Sequence, residues 1–373
     1  MSQNMRGAKK LFEEVIDQGL CTGCGACVKG CPYMALHEGR IVALDKCTLE
    51  EGECYRYCPR TYTDMNAVST KIFGGPYCPD EMGVVLNVGL MRSTDKDIIA
   101  KGQDGGTITT LLALALEEGM IDAIVSSRMD GQRIPAGFVA RTRQELIQCA
   151  GVSYAASYAM EAFNALPKEH DARLGIVGVG CQMEALAKMR HAPPKNRVDI
   201  ERVKIALGLF CGWALSPATF HPYLKQNYDL SRVVKFDIPH HPFDTFDVYT
   251  TSGKKSASLD QIRKYINPAC QYCWDMTAEF ADISVGAAGA AFPGWNTVIA
   301  RTKRGSDLLD LAKSKGILET KALPDERLGH LKAAALKRKK VAFKNIVERT
   351  GSRKNLLYMG GISEGLVDRF LKD

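Results

Sequence analysis

The sequence predicts a mixed fold of the α+β or α/β class, with a small cysteine-rich module at the N-terminus, a larger α/β core and a basic helical tail. Three observations predict it. Seven of the thirteen cysteines fall before residue 60. From about residue 80 onward, strand-like apolar runs alternate with helical patterns and glycine-rich turns. A lysine- and arginine-rich helical pattern then fills the last part of the chain. We expect four segments: 1–75, 76–165, 166–335 and 336–373.

Composition indicates an ordinary globular protein. The 373 residues suit two or three domains, and the hydrophobic content of 46% and charged content of 24% are typical. No apolar run approaches the roughly 18–20 residues that span a bilayer, so no transmembrane segment is expected. The first 19 residues form an amphipathic helical pattern rather than a signal peptide. Thirteen cysteines without a secretion signal indicate a reducing, cytoplasmic setting in an anaerobe, where thiols bind metals. The net charge of +7 is mild, and no nucleic-acid-binding motif is evident.

The N-terminal module begins with the motif CTGCGACVKGCP over residues 21–32. This C-x2-C-x2-C-x3-C-P spacing is that of bacterial ferredoxins, which hold [4Fe-4S] clusters. Three closely spaced thiolates bind three irons of one cube, and Gly25 allows the backbone to bend around it. The fourth thiolate of such a motif usually serves a second cluster. A zinc ribbon is the alternative, but it supplies cysteines in C-x2-C pairs.

A damaged copy of this motif, CTLEEGECYRYCP, occupies residues 47–59 and follows two strand-like pieces, MALHEGR and IVALD. The repeat predicts a two-cluster, bacterial-ferredoxin-like module over residues 1–75. The ligands expected for the complete cluster are Cys21, Cys24, Cys27 and Cys58. The other cluster would be held by Cys31, Cys47 and Cys54. Glu51 stands where its fourth cysteine is expected and is a candidate ligand. The alternatives are a solvated Glu51, ligation by Cys78, or a three-iron cluster.

The first part of the core contains a predicted strand (GVVLNVGLMRS), a helix (ITTLLALALEEGM) and a buried strand (IDAIVSSRM). A glycine-rich turn before the helix offers close backbone approach, hydroxyl groups and a helix N-terminus that attracts phosphate. The residues concerned are Gly105, Gly106, Thr107, Thr109 and Thr110. The turn is neither a Walker sequence nor a G-x-G-x-x-G turn. Ser153 and Tyr154, in GVSYAASY, could line a ring-shaped cofactor; core packing is the competing interpretation.

The second part of the core places lone cysteines after buried strands. Cys181 follows the strand of LGIVGVGCQMEAL and Cys211 follows that of VKIALGLFCGWAL, at the strand ends where open α/β sheets bind ligands. The pair Cys270 and Cys273 in PACQYCWD completes a set of four thiols, enough for a third cubane. Zinc or inert core thiols are the alternatives. The basic run at residues 337–340 is either a solvated helix face or a contact for an acidic partner such as ferredoxin.

At this point the sequence resembles the β subunits of coenzyme F420-reducing hydrogenases and F420-dependent dehydrogenases. The matching stretches are GQDGGTITTLLALALEEGMIDAIV, GVGCQMEAL, LGLFC, CQYCWDMTAEFADISVGAAG and GWNTVIARTKRG. They cover most of residues 80–305, while residues 15–70 resemble the ferredoxin extension of many members. The chain departs from the family pattern twice: Gly180 replaces the proline of Gly-x-Pro-Cys, and Ala287 replaces the aspartate of Gly-Asp.

The resemblance implies one FAD and a nearby [4Fe-4S] cluster in a flavin- and cluster-binding core. It places FAD contacts on Gly105, Gly106, Thr107, Thr109, Thr110, Ser153 and Tyr154. It places the third cluster on Cys181, Cys211, Cys270 and Cys273. No catalytic side chain is assigned.

We therefore expect an oxidoreductase subunit that passes electrons between a partner and coenzyme F420 or a similar acceptor. The partner would be a hydrogenase, a formate dehydrogenase or a heterodisulfide-reductase-like complex. Two alternatives are a stand-alone ferredoxin-dependent reductase of an unsaturated organic compound and a cluster-only electron-transfer subunit.

Overall fold

The computed structural model describes residues 7–78, 81–168, 171–195, 197–240 and 242–372. Its strands are β1 Met34–His37, β2 Arg40–Ala43, β3 Thr63–Asp64, β4 Asn87–Ser93, β5 Ala123–Met129, β6 Pro135–Ala140, β7 Leu174–Val179, β8 Val203–Leu209, β9 Val233–Asp237, β10 Thr245–Thr250, β11 Gly253–Ser258, β12 Ile283–Ala287, β13 Asn296–Ala300, β14 Leu318–Lys321 and β15 Met359–Gly360. Its helices are α1 Ala8–Leu11, α2 Glu53–Arg56, α3 Met65–Phe73, α4 Lys96–Lys101, α5 Thr107–Glu117, α6 Arg143–Ile147, α7 Met160–Asn164, α8 Gly180–His191, α9 Pro217–Asn227, α10 Leu259–Arg263, α11 Lys303–Ser314, α12 Asp325–Thr350 and α13 Glu364–Leu371.

The elements predicted from apolar periodicity are present. Strands β4 and β5 and helix α5 occupy the three segments predicted in the first half of the core, and β7, α8 and β8 those of the second half. Strands β1 and β2 pair as an antiparallel hairpin between the two cysteine motifs. The amphipathic N-terminal pattern forms α1 and a π-helical turn at Phe12–Ile16; residues 1–6 lie outside the described part of the chain.

The core is built on a mixed sheet of eight strands in the described residues, in the order β14-β4-β13-β12-β8-β7-β5-β6. Strands β12, β8, β7 and β5 are mutually parallel, and β4 runs in the same direction because β13 is antiparallel to both β12 and β4. The carboxyl ends of five strands therefore meet at one edge of the sheet. In open α/β sheets this is the edge where ligands bind.

A second, three-stranded sheet of order β11-β10-β9 forms a small unit that was not predicted from the sequence. Its core is aromatic: Phe220, Phe236 and Phe246 are buried, and the ring of Phe246 lies 5.5 Å from that of Phe236. The unit reaches the carboxyl edge of the large sheet, because Gln103 hydrogen-bonds Asp237 and the Ile238 N–H donates to the Tyr154 hydroxyl.

The N-terminal module, the core and the tail share one hydrophobic cluster. It includes Tyr57 and Met65 of the module, Met183 of α8, and Phe343 and Phe370 of the tail. Strand β15 pairs with β3, which joins the tail directly to the module. Helix α12 is continuous across residues 335 and 336, so the segment boundary expected there falls inside a helix.

Of the helices in the described residues, none has both the length and the apolar content to cross a bilayer.

Candidate functional site

The first thiol group comprises Cys21, Cys24, Cys27 and Cys58. Its loop bends through two left-handed glycines, Gly23 at φ +70° and Gly25 at φ +85°. A Cβ on Gly25 would lie 2.4 Å from the Tyr158 carbonyl oxygen, so this position requires glycine for space as well as for conformation. The loop is also held by Asn164, whose Nδ2 donates to the carbonyls of Gly25, Ala26 and Val28 at 3.3, 3.1 and 2.7 Å.

The charge of Cys58 raises the pKa of the other three thiols of this group. Burial, followed by the charge of Cys58, raises the pKa of Cys24 to about 12. Burial raises the pKa of Cys21 to about 11, with Cys58 again contributing. Burial raises the pKa of Cys27 well above its usual value, with the charges of Cys21, Cys24 and Cys58 adding to it. Four thiolates gathered in a buried site are unfavourable unless a cation neutralises them, and bound iron supplies that charge.

The second thiol group comprises Cys31, Cys47 and Cys54. Burial and the charge of Cys31 raise the pKa of Cys54 to about 11, and Cys47 contributes in the same direction. The structure gives Glu51 another partner: its carboxylate is exposed and accepts a hydrogen bond from Arg56 at 2.9 Å. Cys78 is half-buried in the loop after α3.

The third thiol group comprises Cys181, Cys211, Cys270 and Cys273, which come from three separate parts of the chain. Burial raises the pKa of Cys211, and the charges of Cys270 and Cys273 raise it further. Burial also raises the pKa of Cys181 well above its usual value, with Cys273 and Cys211 contributing. The Ala214 N–H donates to Cys270 Sγ at 3.3 Å, and Cys273 Sγ donates to the Asp275 carbonyl at 3.6 Å.

The three groups lie in a row, with the first group in the middle. The charge of Cys54 in the second group raises the pKa of Cys27 in the first group. The charge of Cys24 in the first group is the largest contribution after burial to the raised pKa of Cys181 in the third. A hydrogen bond joins the same two groups, because Asn267, which precedes Pro268, donates from Nδ2 to the Cys21 carbonyl at 3.0 Å.

The thiol side chains of the described residues are not arranged as a site for a single metal ion. Within the described residues, no three His, Cys, Asp or Glu side chains form a group that could hold one metal ion. Zinc needs its thiolates about 2.3 Å from a common centre. A cubane instead places each thiolate on a different iron, which keeps the sulfur atoms farther apart. All thirteen cysteines are free thiols, and eleven of them belong to the three groups.

The glycine-rich turn lies at the carboxyl edge of the large sheet. Gly106 adopts φ +69° at the start of α5, and the Ser93 N–H at the end of β4 donates to the Gly105 carbonyl at 2.7 Å. The turn thus shares its edge with Cys181 and Cys211, which follow β7 and β8. The space beside Gly105 is occupied by the protein itself, since a Cβ on Gly105 would lie 2.8 Å from Asn296 Oδ1; the approach of a cofactor to these glycines stays a prediction.

The threonine hydroxyls of the turn are used mainly inside the protein. Thr107 Oγ1 donates to Asn296 Oδ1 at 2.9 Å, and Thr110 Oγ1 donates to Ser93 Oγ at 2.6 Å. Thr109 is also buried. Asn296 was not predicted as a site residue; it begins β13 opposite Ala287 and so lies at the same edge. A cofactor at this turn would therefore meet backbone groups rather than the hydroxyls of Thr107 and Thr110.

Ser153 and Tyr154 lie between the large sheet and the small unit. Ser153 Oγ donates to the Ala155 carbonyl at 3.1 Å. Tyr154 has φ +56°, and its ring packs 5.9 Å from Phe246 in the aromatic core of the small unit. The ring thus packs as the competing interpretation of this segment expects, and cofactor contact by Ser153 and Tyr154 stays a prediction.

One departure from the family pattern, Gly180, has a local packing reason, and the exposed Ala287 has no structural explanation. A Cβ on Gly180 would lie 2.6 Å from Asp275 Oδ2, so glycine lets this buried carboxylate approach the start of α8. A Cβ on Gly286 would lie 2.1 Å from Phe210 Cδ2, so the Phe210 ring covers the strand next to Ala287.

A group of buried charges next to the thiols was missed by the sequence analysis. Arg60, two residues after Cys58, donates from Nη1 to Glu184 Oε2 at 3.5 Å, and both side chains are at most 2% exposed. Lys188 Nζ donates to the Cys58 carbonyl at 2.7 Å. No sequence motif marks these residues, because the contact joins segments more than 120 positions apart.

Three family models match the chain. Residues 90–164 match "Coenzyme F420 hydrogenase/dehydrogenase, beta subunit N-term" and residues 171–326 match the corresponding C terminus. Residues 14–37 match a 4Fe-4S binding domain.

Known proteins show the same similarity. The chain is 35% identical to the beta subunit of coenzyme F420 hydrogenase from Methanosarcina barkeri over 64% of its own length and 82% of that subunit. It is 28% identical to a coenzyme F420-dependent sulfite reductase from Methanocaldococcus jannaschii over 91% of its own length and 52% of that enzyme. A chain of the F420-reducing [NiFe] hydrogenase complex from Methanosarcina barkeri superposes with a TM-score of 0.66, at 31% identity, covering 73% of this chain and 94% of that one.

Proposed function

The chain belongs to the coenzyme F420 hydrogenase/dehydrogenase beta-subunit family, and we propose from this membership that it is an iron–sulfur flavoprotein subunit that exchanges electrons between a partner oxidoreductase and coenzyme F420. The observation that carries the proposal is the row of three thiol groups that ends at the carboxyl edge of the large sheet. The row supplies a path for single electrons, and the sheet edge supplies a place for a two-electron cofactor.

In this proposal the first group holds a complete [4Fe-4S] cluster through Cys21, Cys24, Cys27 and Cys58. The second group holds a cluster through Cys31, Cys47 and Cys54, and the third through Cys181, Cys211, Cys270 and Cys273. The ion pair with Arg56 favours a solvated Glu51, so the second cluster takes Cys78 or a non-protein group as its fourth ligand, or it loses one iron. This cluster would exchange electrons with the partner.

FAD is proposed to bind at the glycine-rich turn, and when bound it converts single electrons into the hydride that F420 accepts. The backbone of Gly105 and Gly106 would contact it, since the hydroxyls of Thr107 and Thr110 are engaged within the protein. The first turn of α5 would add the favourable electrostatics of a helix N-terminus. Asn296 would hold the turn in place through Thr107.

Anaerobic purification with iron, sulfide and flavin analysis tests the proposal. We expect about eleven to twelve irons per chain, in line with three clusters, and one FAD. Mixing the dithionite-reduced protein with F420 should then bleach the absorbance of oxidised F420. Four irons or fewer per chain, or a fully iron-loaded protein that neither contains nor takes up FAD, would contradict it.

Two cysteine variants sharpen the test. Cys211→Ser removes a ligand of the third cluster and should lower the iron content by as much as about four per chain. Cys149→Ser is the matched control, because Cys149 lies outside the three groups and its Sγ donates to the Glu145 carbonyl at 3.5 Å. Equal iron content in the two variants would exclude the third cluster.

A second candidate concerns the partner. The similarity to the F420-dependent sulfite reductase extends over 91% of this chain, whereas that to the hydrogenase subunit covers 64%. The longer match favours a terminal reductase as the partner, with electrons flowing from reduced F420 to the clusters. Affinity purification of the tagged chain from its native cells distinguishes the two by the subunits recovered: a [NiFe] hydrogenase or a reductase.

A further inference from the structure

Arg60 is a buried cation between the first and third thiol groups. Its residue is 3% exposed, its backbone N–H donates to Cys58 Sγ at 3.4 Å, and its guanidinium lies 4.3 Å from the centre of the Tyr358 ring. Tyr358 in turn donates from its hydroxyl to the Tyr272 carbonyl at 2.7 Å, directly before Cys273. Arg60 thus contacts one group through its backbone and reaches the other through its side chain.

The guanidinium keeps hydrogen-bonding capacity that the protein does not use. Nη1 donates to the Pro59 carbonyl at 3.0 Å and to Glu184 at 3.5 Å. Nε and Nη2 have no partner in the described residues, although both atoms are buried. Buried donors without partners are unfavourable, so native proteins rarely leave them without a ligand, ion or ordered water.

The charge of Arg60 acts on thiols of both groups. In the first group it opposes the effect of burial on the pKa of Cys21 and Cys58. In the third group it does the same for Cys181 and Cys270. Burial alone would lower the pKa of Arg60, but Tyr358, Cys273, Glu184 and Cys181 hold it well above its usual value. In the second group, the arginine that opposes the raised pKa of Cys54 is Arg197.

We propose that Arg60 sets the reduction potentials of the first and third clusters together, by placing one permanent positive charge and two free N–H donors between them. A protein sets the reduction potential of a cluster mainly through the net charge and the hydrogen bonds to sulfur that it supplies. Reduction adds negative charge to a cluster, and a nearby guanidinium stabilises that charge. Arg60 thereby favours the reduced state of both the first and the third cluster. It is a positioning residue, and the inference rests on the clusters of the proposed function.

The test is a redox titration of the anaerobically purified full chain, followed by electron paramagnetic resonance. Arg60→Met should make the midpoint potentials of two clusters more negative, by the equivalent of at least a tenfold change in the reduction equilibrium, about 59 mV for one electron. The signal of the second-group cluster should stay in place. Arg60→Lys keeps the charge and should recover at least half of the shift.

Arg202→Met is the matched control. Arg202 is also buried and also has an unpartnered Nη2 in the described residues, but it precedes β8, at the opposite end of that strand from Cys211. A strand of this length separates them by about 20 Å. This variant should leave all three potentials unchanged.

Glu184→Gln provides a measurement with the opposite sign. It removes the counter-charge of Arg60 without changing the shape of the side chain, so the potentials of the first and third clusters should become more positive. The measurement is made at about pH 9, where the wild-type carboxylate is ionised although burial raises its pKa to about 7. If Arg60→Met loses iron, the cluster potentials of Glu184→Gln test the role of Arg60 instead.

The outcomes separate the two proposals. A wild-type protein with four irons or fewer per chain, or an iron-loaded one that neither contains nor takes up FAD, contradicts the proposed function before any variant is measured. Three clusters in the wild type, with unchanged potentials in an iron-loaded Arg60→Met or in Glu184→Gln, would overturn the role of Arg60 alone.

Discussion

At the scale of single residues, Gly25 determines whether the first cysteine loop can close. Replacing it with alanine should destabilise the loop, because a left-handed alanine costs about 1–2 kcal/mol and its Cβ would also meet the Tyr158 carbonyl at 2.4 Å. We expect Gly25→Ala to lose iron from the first cluster and to lower the unfolding temperature. Gly74→Ala is the control: its φ is +78°, but no heavy atom lies within 4 Å of the added Cβ. Equal iron content and equal unfolding temperatures in the two variants would show that the contact with Tyr158 is unimportant.

Glu279 should make the stability of the protein depend on pH. Burial, only partly opposed by Lys339, raises the pKa of its carboxyl to about 7, above the usual value near 4.5. The folded state therefore binds a proton that the unfolded state has released, and stability falls as the pH rises from about 4.5 to about 7. Glu279→Gln removes this contribution. Denaturant titrations across this window should show a shallower decline for Glu279→Gln than for the wild type; parallel curves would contradict the assignment.

At the scale of elements, the basic run at residues 337–340 of α12 is partly buried in the protein and partly exposed on its surface. Lys339 is buried and pairs with Glu279 at 2.7 Å, Arg338 donates to the Cys270 carbonyl, and Lys340 donates to the Lys372 carbonyl at 2.8 Å. Three of the four charges at residues 337–340 thus have partners within the protein. The run is therefore neither a fully solvated face nor a free basic patch for an acidic partner.

Because Lys339 is buried and Lys337 is exposed, replacing the two lysines should have different effects on the free energy of unfolding. Lys339→Met leaves the buried Glu279 carboxyl without its cation, which should cost about 3–5 kcal/mol of unfolding free energy at pH 9, above the pKa of about 7 that this carboxyl has beside Lys339. Lys337→Met, on the exposed side of the same helix, should change it by less than about 0.5 kcal/mol. The double variant Lys339→Met with Glu279→Gln should be more stable than Lys339→Met alone, because no uncompensated charge remains. Chemical denaturation measures all three, and equal stabilities of the two single variants would contradict the buried pair.

Features that depend on residues close together in the sequence, such as helices, strands and cysteine motifs, could be predicted from the sequence. The periodicity of β4, α5, β7 and β8 was sufficient to place them, and the spacing of the two N-terminal motifs predicted the first two thiol groups. The third group was predicted from strand ends and from the family resemblance, since Cys181 and Cys211 stand in no cysteine motif. Contacts between distant segments could not be predicted. Asn164 holds the carbonyls around Ala26, and Arg60 meets Glu184, across more than 120 positions without any motif. The hydroxyl of Thr107 was available in the sequence, but Asn296 of a distant strand accepts its hydrogen bond.

At the scale of the whole molecule, the row of thiol groups requires the N-terminal module and the core to keep a fixed relation. Asn164, Asn267 and Lys188 of the core hold backbone carbonyls of the first cysteine loop and of Cys58. The tail adds β15, which pairs with β3 of the module. Electron transfer between clusters is sensitive to distance, so an arrangement in which three chain segments share one core favours a constant separation of the first and third groups.

The shared core predicts that the described segments unfold together. Phe370 of α13 is 1% exposed and stacks on Phe343 at 5.3 Å, within the same cluster as Tyr57 of the module and Met183 of α8. Phe370→Ala should cost about 3–5 kcal/mol. It should lower the temperature of iron release and that of the tryptophan fluorescence transition by the same amount, because Trp274 belongs to this core as well.

Phe243→Ala is the matched control for that experiment, since Phe243 is 66% exposed and its loss should leave both transitions in place. If the tail were an independent appendage, Phe370→Ala would leave the iron-release temperature unchanged. If the module were an independent ferredoxin, iron release from the first two groups would precede the fluorescence transition in the wild type. Coincident transitions that shift together in Phe370→Ala are the result expected of a single cooperative unit, in which the tail stabilises the position of the clusters without binding them.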